Sequence, residues 1–145
     1  MATPADRDSY WRQILTNGTM PPATHFLNFR LIDLNIEEGW CEGSFLLPEQ
    51  ATNPGGNAQG GFITAILDEV MSIAGSIAQP PPAMSPTLQM TTSFIRPVPV
   101  AAPLKARGQL VRKGRAALFT DGWLWDEKGR LLAQATASCV PKSLA

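Results

Sequence analysis

The chain has 145 residues, 44% of them hydrophobic, enough for one globular domain with a continuous core. Twelve basic and twelve acidic residues cancel to a formal net charge of zero, which excludes a sequence-wide field for nucleic acid or an anionic membrane and suits a protein that associates with its own copies. No stretch is expected to be long and apolar enough to span a bilayer, and the first ten residues lack a basic region followed by an apolar one, so no signal peptide is evident and the cytoplasm is the expected location.

Residues 5–16 cluster Tyr10, Trp11, Ile14 and Leu15 and close at Asn17-Gly18, which predicts a short amphipathic helix lying over the domain as a lid. This helix and its connector fill residues 1–24, and the core of a single domain covering residues 1–145 runs over about 28–141. Residues 24–36 and 40–47 are strand-like runs joined at Glu38-Gly39, the second alternating Cys41, Gly43, Phe45 and Leu47 with Trp40, Glu42, Ser44 and Leu46. Cys41 and Cys139 lie in strand-like runs and read as reduced core residues; a pairing between them stays open, and neither has metal-ligand company.

Next comes a glycine-rich loop, Asn53-Pro54-Gly55-Gly56-Asn57-Ala58-Gln59-Gly60-Gly61, opening into an apolar run. Phe62, Ile63, Ile66, Leu67, Val70, Ile73, Ala74 and Ile77 share one arc at 100° per residue, which predicts a long helix over residues 60–78, stopped by Gln79-Pro80-Pro81-Pro82. The opposite face holds Thr64, Ala65, Asp68, Ser72, Gly75 and Ser76. These are small residues where a merely solvated face would carry Lys, Glu and Arg, so Asp68 is expected to face a ligand or a partner surface. Glu69 lies toward the apolar arc and reads as structural. Free N–H groups at Gly60 and Gly61 carry partial positive charge and can polarise a carbonyl oxygen, although close packing at a helix start explains glycine there equally well.

Four more strands are predicted, over residues 87–96, 104–113, 116–126 and 131–140, with turns at Lys113-Gly114 and Lys128-Gly129. No second helix of comparable length separates them, so a parallel βαβ architecture is excluded in favour of an α+β fold: a hairpin, one long helix and a four-strand meander curled around it. Ala133, Ala135 and Ala137 would let the helix sit close to the sheet. Trp123, Trp125 and Met90 read as pocket walls or as core, with core favoured. His25, the only histidine, has no nucleophile partner in the pattern, which argues against a Ser-His-Asp hydrolase.

The loop and the strand order resemble the hotdog fold and, within it, the phenylacetate-pathway (PaaI-like) acyl-CoA thioesterases. That family's pattern is an Asn, a Gly three residues on, His-Gly-Gly opening the helix and an acid eight positions after the first Gly of that pair. Here it reads Asn53, Gly56, Gln59-Gly60-Gly61 and Asp68, and the resemblance runs from about Asn28 to Val140. It implies acyl-CoA hydrolysis: Asp68 as general base or nucleophile, the alternative being a solvated or capping acid; the Gly60 N–H on the carbonyl oxygen; Asn53 holding water and thioester, or only shaping a turn before Pro54; Thr87 near the attacking water, or only a strand residue; and Gly61 beside the substrate. Arg112, Lys113 and Arg115 would receive the phosphates of coenzyme A, the alternative being a solvated turn. The acyl group implied is aromatic or medium-chain. No metal or cofactor is implied beyond the coenzyme A of the substrate, and the partner is a second copy completing the site in a homodimer, with dimers pairing into a tetramer. Gln59 stands where many relatives have His; it keeps hydrogen-bonding capacity but removes a titratable ring. That departure keeps a second reading open, a non-catalytic hotdog module binding acyl-CoA or another apolar ligand. Hydration or dehydration chemistry is weaker, for want of a His at the loop.

Overall fold

The computed structural model describes residues 2–145. Helices α1 (Pro4–Asn17) and α2 (Pro22–Phe26) precede strands β1 (Arg30–Asn35) and β2 (Trp40–Phe45). A 3-10 turn at Glu49–Ala51 and the glycine-rich loop lead into α3 (Gly60–Ile77), and β3 (Ala83–Met84), β4 (Thr87–Phe94), β5 (Leu104–Lys113), β6 (Leu118–Trp125), β7 (Leu131–Cys139) and β8 (Lys142–Ser143) follow. The extended run expected from residue 24 is corrected. Pro22 sits at the first turn of α2, where its fixed φ suits a helix, and Asn28 turns the chain at φ 53° before β1.

The main sheet is antiparallel in the order β1-β2-β5-β6-β7-β4, curved around α3 as the hotdog fold requires; β3 and β8 pair separately. The expected four-strand meander is therefore corrected to three strands, β5 to β7. The strand β4 instead pairs with β7 and forms the sheet edge, because the connection after it contains Pro97, Pro99 and Pro103 and cannot make a tight hairpin into β5.

Why the helix lies where it does follows from the sheet's small residues. Cys41, Gly108, Gly122, Ala135 and Thr92 are successive cross-strand partners from β2 to β4, forming a trough beneath α3. A Cβ on Gly108 would overlap the Val70 carbonyl, and one on Gly122 would stand 2.6 Å from the Met71 sulfur. The alanines of β7 flank this trough, but the two glycines set the closest approach. Into it α3 presses Ile63, Ile66, Leu67, Val70 and Met71 against Phe45, Leu104, Leu124 and Leu132. Burying each such side chain is worth about 1.5–3 kcal/mol.

Two further expectations change. Trp123 and Trp125 alternate outward on β6, opposite to buried Gly122 and Leu124, so they belong to the outer sheet face rather than the core, whereas Met90 packs against the core from β4. By length and composition α3 is apolar enough to cross a membrane, contrary to the sequence expectation, but its buried face is the centre of this core. The helix α1 packs Trp11 and Leu15 on Leu34, Cys41, Ile77 and Ala83, at the C-terminal end of α3, and Arg7 Nη2 donates to the Ile77 carbonyl at 3.2 Å. Cys41 and Cys139 are both free and buried.

Gly108→Ala is expected to lower unfolding stability by roughly 2 kcal/mol or more, since helix backbone cannot yield as a side chain can. Gly61→Ala, where a Cβ meets nothing within 4 Å, is expected to stay within about 1 kcal/mol of wild type in the same denaturant titration.

Candidate active site

The glycine-rich loop is held by Asn53. Its backbone N–H donates to the Asn57 carbonyl at 2.7 Å, and its Oδ1 accepts from the N–H groups of Gly55 and Asn57 at 2.9 and 3.1 Å. Its Nδ2 donates to the Ala58 carbonyl at 3.5 Å. The side chain expected to hold water and thioester is thus engaged within its own turn, which it shapes as an Asx motif. Gly56 completes that turn at φ 82°, a conformation other residues rarely adopt.

Gln59 is the N-cap of α3, with extended backbone, no side-chain capping bond and an exposed side chain. Its N–H donates to the Ala51 carbonyl, while its own carbonyl accepts from Phe62 and Ile63. The N–H groups of Gly60 and Gly61 have no acceptor among the described residues, so the positive end of the helix dipole is uncovered there.

Along the face of α3 that meets the edge strand runs a row of hydroxyls. Thr64 donates to Thr92 at 3.4 Å, and Thr87 donates to Asp68 Oδ1 at 2.6 Å. Ser72 Oγ stands 3.5 Å from Thr87 Oγ1; with the single Thr87 proton committed to Asp68, Ser72 is the donor. Ser76 and Ser85 both donate to the Ser72 carbonyl, at 2.7 and 2.5 Å. Asp68 is half-buried, and its second oxygen has no hydrogen-bond partner among the described residues. A carboxylate steadied on one oxygen and open on the other can accept a proton.

Thr87 is therefore brought to Asp68, while Gly60 stands apart from Asp68 within one copy, as a site shared between two copies requires. Eight residues separate them along α3, about 12 Å of axial rise. The basic hairpin is farther still from Gly60: Lys113 Nζ donates to the Ala78 carbonyl at 2.7 Å, at the opposite end of α3, with Arg112 and Arg115 exposed beside it. Instead, Gly60 lines a cavity of about 390 Å³ with Asn53, Ile63, Phe94, Arg96 and Val98. Sequence reasoning missed Phe94 and Arg96. The alternation of Met90, Thr92 and Phe94 carried the signal for the first; nothing in the pattern marked the second. Among the described residues no cluster of His, Cys, Asp or Glu could hold a metal ion.

The chain matches the model of the thioesterase superfamily over residues 55–133, more than half of its length. Its fold is similar to that of a candidate thioesterase, a phenylacetic acid degradation-related protein from Ralstonia eutropha JMP134, with 30% identity, TM-score 0.82, and coverage of 90% of this chain and 98% of that one. It is also similar in fold to a Streptococcus mutans UA159 protein bound to acetyl CoA (20% identity, TM-score 0.72, coverage 81% and 90%). A variant of the phenylacetic acid degradation protein PaaI from Thermus thermophilus shares the fold too (22% identity, TM-score 0.72, coverage 83% and 98%). No curated protein matches the chain significantly.

Next to Asp68, Glu69 points the other way, toward α2, and accepts from the buried Thr24 hydroxyl at 2.7 Å. Burial raises its carboxyl above the ordinary glutamate value, the Thr24 bond acting against this and the Asp68 charge with it. A raised folded-state value gives stability that is complete below the unfolded pKa and lost as pH rises through the folded one. Glu69→Gln keeps an acceptor for Thr24 and removes the buried charge. It is expected to melt higher than wild type at about pH 7 and to lose that advantage at about pH 4, in paired thermal scans.

Proposed function

Since the chain belongs to the thioesterase superfamily, we propose that it hydrolyses acyl-CoA thioesters, with Asp68 as the proton acceptor or nucleophile and the Gly60 N–H as the carbonyl donor. The observation that carries this is the Asp68–Thr87 pair at 2.6 Å on a helix face otherwise built of small residues. The binding of acetyl CoA by the Streptococcus mutans protein and of coenzyme A by a Streptococcus pneumoniae TIGR4 hypothetical thioesterase supports the same ligand class.

The 12 Å or so between Gly60 and Asp68 is too long for one carbonyl to be polarised by the first while the second activates its water, since a base must lie within about 3 Å of the proton it takes. A second copy removes the difficulty. Thr64 lies midway between Gly60 and Asp68 and touches Thr92 of the edge strand, so a two-fold axis near this pair brings Gly60 of each copy toward Asp68 of the other. The strand β4 supports such pairing: it ends the sheet order, its outer backbone row has no partner among the described residues, and Leu88 and Phe94 are 65% and 55% exposed. The active assembly is a homodimer or a pair of dimers.

In the general-base route, the carbonyl oxygen accepts from Gly60 N–H, and Asp68 takes a proton from water on the oxygen that Thr87 leaves free. The water oxygen bonds to the carbonyl carbon, the C–S bond breaks, and the proton on Asp68 passes to the departing coenzyme A sulfur. Were Asp68 the nucleophile, the same free oxygen would form a mixed anhydride that water then cleaves. Thr87 keeps the reactive oxygen oriented in both routes. Gln59 lacks a proton near neutral pH to exchange, so the chemistry falls to Asp68 and backbone groups.

Free-thiol release from short, medium, long and aromatic acyl-CoA tests this. Asp68→Asn is expected to lower kcat by about 10²–10⁴ and Thr87→Ala by about tenfold or more, both remaining folded and sedimenting as wild type. A wild type inert on the whole panel, or an Asp68→Asn variant at full rate, would overturn the assignment; retained acyl-CoA binding without turnover would favour the binding module that Gln59 leaves open.

A further inference from the structure

On the inner face of β4, Met90 and Thr92 are part-buried while Phe94 is 55% exposed. Its register partner is Ala133, which turns the ring toward the start of α3 rather than toward the outer sheet face. Ring atoms Cζ and Cε1 come within 3.2 and 3.3 Å of where a Cβ on Gly60 would stand, so ring and side chain could not share that space without displacement. On one side of the ring lies the cavity of about 390 Å³, walled also by Ala58, Ile63, Ile95 and Val98. Farther along α3, Thr64 and Thr92 meet at 3.4 Å, between Gly60 and Asp68.

We propose that Phe94 is the specificity-determining wall of the acyl site, bounding the cavity beside Gly60 and limiting the enzyme to compact acyl groups, a single ring or a chain of a few carbons. The inference rests on Gly60 being the carbonyl donor. A carbonyl held there carries its acyl group against whatever lies next to Gly60, and that is the Phe94 ring. The cavity is lined mainly by apolar side chains and has the size of a small-ligand pocket, so compact groups gain burial without crossing the ring. A longer chain must displace the ring or extend into water. Truncating Phe94 enlarges the cavity and relieves that conflict, and a few methylenes newly buried are worth about tenfold or more in specificity.

The test measures kcat/KM for butanoyl-, phenylacetyl- and decanoyl-CoA with wild type, Phe94→Ala, Phe94→Leu and Phe94→Tyr, beside calorimetric Kd values for the matching non-hydrolysable thioethers. In Phe94→Ala the decanoyl-to-butanoyl ratio is expected to rise about tenfold or more, in both kcat/KM and affinity, with a smaller rise in Phe94→Leu and little change in Phe94→Tyr. Equal scaling of all three acyl groups, or a change confined to the affinity of free coenzyme A, overturns the proposal. Should wild type turn over none of the thioesters, the hydrolase reading fails, while the Kd ratios still decide whether Phe94 selects by acyl size. If Phe94→Ala does not stay folded, Phe94→Leu, which keeps an apolar filler, decides by the same ratios.

Discussion

The carbonyl of Val70 occupies the space that a side chain on Gly108 would need, and the Met71 sulfur stands in the same relation to Gly122. That contact fixes both the height of α3 above the sheet and its rotation. With Leu67, Val70 and Met71 pressed into the trough, Asp68 and Ser72 are carried sideways, toward β4. The short bond between Thr87 and Asp68 depends on this height: a helix lifted by one methyl group would leave the carboxylate without its donor. Small residues in the middle of β5 and β6 therefore support the site without touching it.

Asp68 and Glu69 are neighbours on one helix, and each accepts one threonine hydroxyl, yet their surroundings divide them. Glu69 is enclosed by α2 and the sheet, where desolvation works against its charge and Thr24 offsets only part of that. Asp68 is half-buried and keeps one oxygen without a partner among the described residues. A hydrogen bond to a charged group contributes about 1.5–3 kcal/mol, enough to orient a carboxylate. The helical turn separates the two acids by about 100°, and this rotation assigns one to the edge strand β4 and the other to the buried Thr24 of α2.

The helix α3 and its two faces were legible because a 3.6-residue period, a glycine start and a proline stop all agree there; the resemblance put Thr87 near the water at Asp68, but their direct bond was not read from it. What stayed hidden was non-local. The pairing of β4 with β7 is decided by a proline-bearing connection whose path has no periodicity to read. The short helix α2 lies in a segment whose β-branched and aromatic residues suit a strand, and Pro22 overrides that preference. Asn53 could be read as a ligand-facing amide or as a turn former, because its own loop, which takes both lone pairs of Oδ1 and one Nδ2 donor, is a local structure that spacing alone does not reveal. Lys113 looked free because its acceptor, the Ala78 carbonyl, is distant in sequence.

The edge strand β4 joins these threads. An edge with open backbone groups and an exposed Phe94 and Leu88 is an association hazard in any fold that leaves it bare. Here the same edge carries Thr87 and Thr92, which hold the carboxylate and meet the middle of α3, so covering it and completing the proposed site are one event. In such a dimer the chemistry is tied to mass action: a lone copy holds Asp68 and Gly60 but cannot apply both to one thioester, and dilution below the dimer constant would lower turnover in step with the dimer population. Selection for activity then acts on the edge as strongly as on Asp68, which accounts for the threonines that β4 sets against α3.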